Sequence, residues 1–219
     1  MLHPKTDPDL KIRVLKWAMG GNELTDDYIR TRRFRQTEKL MKHFVDDINK
    51  KNLFSIGLSG DVKHEKMYYD MSYSAEDIIK KYPEKIYMSS GLFFFFDITE
   101  ENVDEVCKKL YKMVKYMQDA DIGEVEMEVL FFSEDYFAGK DVEKINREEM
   151  GPAGMMNFDS TYGGEYALTR VNIGRLTDGI EDYRKIKSYK DIKKAIYYKK
   201  FKGTVNLATG RRDFEWIGK

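Results

Sequence analysis

The sequence predicts an α+β domain in which a mixed, mainly antiparallel sheet is covered by packed helices. Segments of apolar/polar alternation, such as 53–60, 125–131 and 166–173, are interspersed with segments whose apolar residues recur every three or four positions, such as 40–48 and 103–117, without a regular βαβα rhythm. The 219 residues carry 13 Phe, 15 Tyr and 2 Trp, enough apolar bulk to offset the entropy cost of folding. The lone cysteine, Cys107, excludes an intrachain disulfide and a multi-cysteine zinc site, so the core has to hold itself together.

Two proline-bearing stretches mark the start, so residues 1–8 are expected to be loosely ordered. Leu10 to Met19 is a short segment stopped by Gly20-Gly21-Asn22. Thr25 followed by Asp26 and Asp27 reads as a helix N-cap, and the helix it opens carries Leu40, Met41, Phe44, Val45 and Ile48 on one face to an end near Asn52. Leu53 to Gly60 is predicted as a strand, Asp61-Val62-Lys63 as a turn, and Lys66 to Tyr73 as a second strand. Ser74 opens a short helix through Ile78 and Ile79 that stops before Pro83. Ile86 to Ile98 is a strand region in which Gly91 marks a bulge or a close approach. Thr99 is read as the cap of the clearest helix, with Glu100 and Glu101 in its first turn and a stripe of Val103, Val106, Cys107, Leu110, Met113, Val114 and Met117. The next strand alternates Val125, Met127, Val129 and Phe131 with Glu124, Glu126 and Glu128. Residues 139–164 are Gly-rich and irregular around a short helix at Val142 to Glu149, and they hold the one weak sub-domain boundary in an otherwise single domain spanning 1–219. Tyr166 to Ile173 is a strand, Ser188 caps a helix through Ile192, and Thr209-Gly210 centres a C-terminal hairpin.

Equal counts of 38 basic and 38 acidic side chains exclude a polycation or an acidic tail while leaving room for a local basic face. The first residues have no apolar run, so no signal peptide is expected and a cytoplasmic location is the default. The longest apolar run, Leu92 to Phe96, is far too short to span a bilayer, and no membrane partner is expected. Gly174 to Gly179 has the glycine gap of a phosphate loop, but Ile180 stands where a lysine must reach the phosphate. Two basic clusters remain. Arg30, Arg32, Arg33, Arg35, Lys39 and Lys42 oppose one acid, Glu38; residues 184–202 interleave their cations with Tyr189, Tyr197, Tyr198 and Phe201. Cations attract phosphate and aromatic rings stack on bases, so single-stranded or duplex DNA is one expected partner; two solvated helix faces are the plainer reading. Asp97 closes the apolar run and is placed to hold a divalent metal or, more simply, to help begin the next helix.

The order Leu53 to Asp61, then Ser74 to Ser90 with Pro83-Glu-Lys-Ile-Tyr87, then Phe95-Phe96-Asp97-Ile98, resembles the catalytic domain of archaeo-eukaryotic primases. Phe158-Asp159 and the stretch Leu168 to Arg175 continue the similarity, which covers residues 53–180. The resemblance implies a primase-core, RRM-like unit, with Asp97 and Asp159 as catalytic carboxylates, Asp97, Glu100 and Asp159 as ligands for Mg or Mn, and Ser133 as a nucleotide contact. Arg170, Arg175, Lys199, Lys200, Arg211 and Arg212 are the expected nucleic-acid or nucleotide contacts, and together with 184–202 they are expected on one surface. The departures are specific: Thr99 stands at the second acid position, no histidine follows His64, and one cysteine excludes the family's zinc module. Two versions follow: a divergent metal-dependent nucleotidyltransferase, or a primase-like subunit of DNA replication with little or no turnover, which the loss of the later histidine and of the second acid favours. A reading from a different class is a small interaction protein, of inhibitor or immunity type and encoded by a mobile element, that acts on a protein partner.

Overall fold

Alternating segments become strands of one sheet, and a strongly apolar helical stripe finds the face it needs. The computed structural model describes residues 14–16, 24–26, 28–134, 167–174, 179–205 and 212–218. The antiparallel pair β1 (Val14–Lys16) and β2 (Leu24–Asp26) precedes helix α1 (Tyr28–Ile48). There follow β3 (Asn52–Ser59), a 3₁₀ turn (Asp61–His64), α2 (Lys66–Tyr69), α3 (Ala75–Lys81), β4 (Tyr87–Phe95), α4 (Val103–Asp119) and β5 (Glu124–Phe132). After the residues outside the description come β6 (Ala167–Ile173), α5 (Tyr189–Lys194), β7 (Ile196–Val205) and β8 (Arg212–Gly218). Strands β3 to β8 form a single sheet in chain order; β4 and β5 are parallel across α4, and every other neighbouring pair is antiparallel. The class is therefore α+β with a mixed sheet. In an RRM-like split βαβ unit a third strand separates the two strands joined by a helix. Here β4 and β5, joined by α4, are direct neighbours.

The core lies between one sheet face and the helices α1 and α4. Phe54, Ile56, Leu58, Met88, Leu92, Phe94, Met127, Val129, Phe131, Val171 and Ile173 share that face with the α4 stripe Val103 to Met117 and with Met41, Val45 and Ile48 of α1. Phe94 stacks on Phe131 at 5.5 Å between ring centroids. On the reverse face, Leu53, Phe93, Phe95, Leu130 and Phe132 are also buried. The uninterrupted run Leu92 to Phe95 is thus explained by burial of the central strand on both sides. Gly91 introduces no bulge, since it pairs in unbroken register with Ser55 and Glu128. Cys107 belongs to the core, where burial pushes its thiol up to about 12 and leaves it inert at neutral pH. Among the described residues no helix is long and apolar enough to cross a membrane.

Three local expectations are corrected. Thr25 lies in β2, and α1 begins at Tyr28 instead. Lys66 to Tyr73 is a short helix and a loop, because its carbonyls are engaged by Arg33 and form no ladder. Arg33 is fully buried; its Nε and Nη2 donate to the Tyr68 carbonyl at 2.9 and 2.8 Å, Nη2 also to the carbonyls of Met67 and Asp70, and Nη1 to the Tyr73 carbonyl and to the Gln36 side-chain Oε1. Finally, α4 starts at Val103. Asn102 accepts from the Thr99 N–H at 2.9 Å and donates to the Asp97 carbonyl at 2.8 Å, which closes a turn ahead of the helix. Glu100 and Glu101 fall in that turn, and Asp104 and Glu105 occupy the first helical turn. The α3 start holds as expected: Asp77 N–H donates to the Ser74 hydroxyl at 3.1 Å, and the Ser74 N–H donates back to the Asp77 carboxylate at 2.8 Å.

Helix α1 runs against the edge strand β3. Phe34 lies on Gly57 so closely that a Cβ there would meet the ring at 2.1 Å, which explains the missing side chain. Glu38 is mostly buried beside Ser55 and Ile56; burial raises its carboxyl above the ordinary value, and Arg35, bonded at 2.9 Å, offsets this in part. A raised carboxyl favours folding most when it is protonated. The contribution of Glu38 is therefore complete below the unfolded value of about 4.3 and is lost as pH rises through the higher folded value. Glu38→Gln removes this dependence. The variant is expected to match wild type near pH 4 and to gain relative stability toward neutrality, read from urea unfolding at stepped pH; a difference that does not change with pH would refute the assignment.

Candidate nucleic-acid interface

Two places in the fold hold the side chains singled out from the sequence. The first is the C-terminal end of the parallel pair. Phe95 pairs with Phe132, so Asp97 and Ser133 leave adjacent strands at the same end of the sheet. The start of β6 reaches that end too, as Ala167 pairs with Phe132. In open sheets the carboxyl ends of parallel strands are where ligands collect. Asp97 and Glu100 are both exposed, and Ser133 is half-buried. Lys51 and Glu134 form an ion pair at 3.5 Å beside Ser133 in the chain. Among the described residues no group of three His, Cys, Asp or Glu side chains is arranged to hold a metal ion. Asp159 lies outside the described residues, as do the Gly-rich segment 139–164 with its expected helix, Arg175, Arg211 and residues 1–8.

The second place is the reverse face of the sheet from β5 to β8. Alternation puts Glu126, Glu128, Leu130 and Phe132 there in β5, with Arg170 and Asn172 in β6. Antiparallel pairing sets Asn172 against Glu128 and Arg170 against Leu130. The next pairing sets Arg170 against Tyr197, and β8 brings Gly218 opposite Tyr197 and Trp216 opposite Lys199. The Arg170 guanidinium stands 5.6 Å from the centroid of the Tyr197 ring, a cation–π contact that holds a flat charge beside an aromatic surface. Lys199, two residues along β7, is on the same face. A Cβ at Gly218 would sit 3.3 Å from the Tyr197 ring, so glycine leaves that ring room.

The other expected contacts separate. Lys200 is exposed on the opposite face of β7, across from Glu215, and Arg212 begins β8. The basic stretch 184–202 does not form one surface. Arg184 donates to the carbonyls of Ile122 and Gly123 at 2.7 and 2.8 Å. Lys193 pairs with Asp104 at 2.6 Å, and Lys194 with Asp191 at 4.0 Å. The Lys193 pair ties α5 to α4, and Arg184 ties the turn before α5 to the turn after α4. The first basic cluster divides likewise: Arg35 and Lys42 pair with Glu38 and Asp46, and Arg33 is internal. Glu126, Glu128 and Asn172 were not singled out from the sequence, although the strict alternation of β5 already put its glutamates on one face. Comparisons with protein-family models, with curated proteins and with solved structures return no match.

Proposed function

We propose that this chain is a primase-like, nucleic-acid-associated protein of DNA replication that binds single-stranded DNA without catalysing nucleotide transfer. The observation that carries the reading is the Arg170–Tyr197–Lys199 array on one sheet face, where cations alternate with a ring that a base can stack on. The primase resemblance adds to it, as does the position of Asp97 and Ser133 at the carboxyl ends of parallel strands. The non-catalytic form is favoured by Thr99 at the second acid position and by the absence of a histidine after His64.

Fluorescence anisotropy with a 5′-hydroxyl oligothymidylate across a salt series tests the reading. Wild type is expected to bind with an affinity that falls as salt rises. Lys199→Gln is expected to weaken binding and to reduce the log–log salt slope by about one. No binding by wild type at low salt would sink this function and leave the interaction-protein reading.

A further inference from the structure

At the end of β4 remote from Asp97, about 30 Å along the strand by its rise per residue, a pocket of about 380 Å³ opens between α1, β3 and α2. Arg30 of α1 and Lys63 of the 3₁₀ turn line it, together with Ser59 at the end of β3 and Tyr68 and Tyr69 of α2. Ile29 and Leu58 supply apolar surface. Its volume falls within the range of small-molecule sites. Among the described residues no carboxylate lines it, and neither Arg30 nor Lys63 makes an ion pair with another described residue. Glu65, the acid next in the chain, is bound to Lys85. The Arg30 guanidinium rests over the Phe34 ring at 5.6 Å, which orients it without neutralising it.

The α2 wall is held firmly. Arg33 bonds the carbonyls of Met67, Tyr68, Asp70 and Tyr73, so the backbone beneath Tyr69 is fixed before anything binds. Tyr69 is 56% exposed, with its ring edge-on to Tyr68 at 5.4 Å. A large aromatic ring displayed on a pinned segment loses little freedom on binding. Two cations beside such a ring, with no carboxylate partner among the described residues, are the complement of a phosphate joined to a flat base. We propose that this pocket binds a nucleoside phosphate, with Arg30 and Lys63 on the phosphate and Tyr69 against the base. The inference goes beyond the proposed function and does not rest on it, since the pocket shares no residue with the β6–β8 face.

Calorimetric titration of the full chain with adenosine 5′-monophosphate, adenosine and inorganic phosphate tests it. The monophosphate is expected to bind saturably, and adenosine and phosphate each at least tenfold more weakly. Arg30→Gln with Lys63→Gln, both at exposed positions, is expected to raise Kd at least tenfold, and Tyr69→Ala to raise it severalfold. Competition by a 5′-phosphorylated oligothymidylate assigns the ligand to a strand end; failure to compete assigns it to a free nucleotide. Absence of saturable binding of the monophosphate overturns the proposal, as does binding indifferent to the Arg30, Lys63 and Tyr69 changes. The 5′-hydroxyl strand assay on the β6–β8 face is unaffected by either result.

Discussion

Arg33→Ala is expected to destabilise the fold by about 3–5 kcal/mol, the cost of breaking a buried charged network on one side only. The guanidinium is wholly inside, and its donors go to the carbonyls of Met67, Tyr68, Asp70 and Tyr73 and to Gln36. Removing it leaves those carbonyls facing a cavity without donors, and each buried unsatisfied group costs about 1–3 kcal/mol. Burial is the first cause of the lowered Arg33 pKa, and the nearby Tyr68 opposes it. Arg33→Lys restores little, because a single ammonium cannot reach in a planar fork to carbonyls spread over seven residues of chain. Urea unfolding of both variants is the measurement, and a loss under about 1 kcal/mol for Arg33→Ala would show that water replaces the fork without penalty.

Leu110→Ala is expected to cost about 2–5 kcal/mol. Leu110 is fully buried at the centre of the α4 stripe, with Val106, Cys107, Met113 and Val114 about it and the sheet beneath. Truncation removes apolar area from the contact that covers β4 and β5, and close-packed neighbours relax only in part. Leu110→Met, which conserves volume, is expected to cost under about 1.5 kcal/mol. Equal losses for the two variants would mean that the helix is held by its ends and not by its stripe.

Much of the sheet and both long helices were legible because their signals are local. The Ser74 helix start, the α4 stripe and the alternation in β5 each need only a few neighbouring residues, and each appears where the sequence put it. Lys66 to Tyr73 was misread as a strand because what decides its conformation is Arg33, more than thirty residues earlier. That residue was partly legible: it precedes Thr37, Met41 and Val45 at steps of four, on the buried face of α1, yet its charge grouped it with the solvated cations. The basic stretch 184–202 misled for a related reason. Adjacency in sequence does not fix the side of a strand, and Lys199 and Lys200 lie on opposite faces. The juxtaposition of Asp97 with Ser133 required the parallel register of β4 and β5, which no local pattern encodes.

Strands β3 to β8 are neighbours in space in the order in which they occur in the chain. No strand waits for a partner made much later. During synthesis each new strand emerges to find the previous one as its template, and α4 closes the single parallel step before β5 arrives. The longest gap in this sequence of additions is the stretch between Phe132 and Ala167. Pairing close in sequence lowers the loop entropy that must be lost before contacts form, which favours fast folding and shortens the time a bare strand edge is open to aggregation. On this layout each strand, once it leaves the ribosome, meets the strand before it as its partner, so the sheet can grow in the order of synthesis.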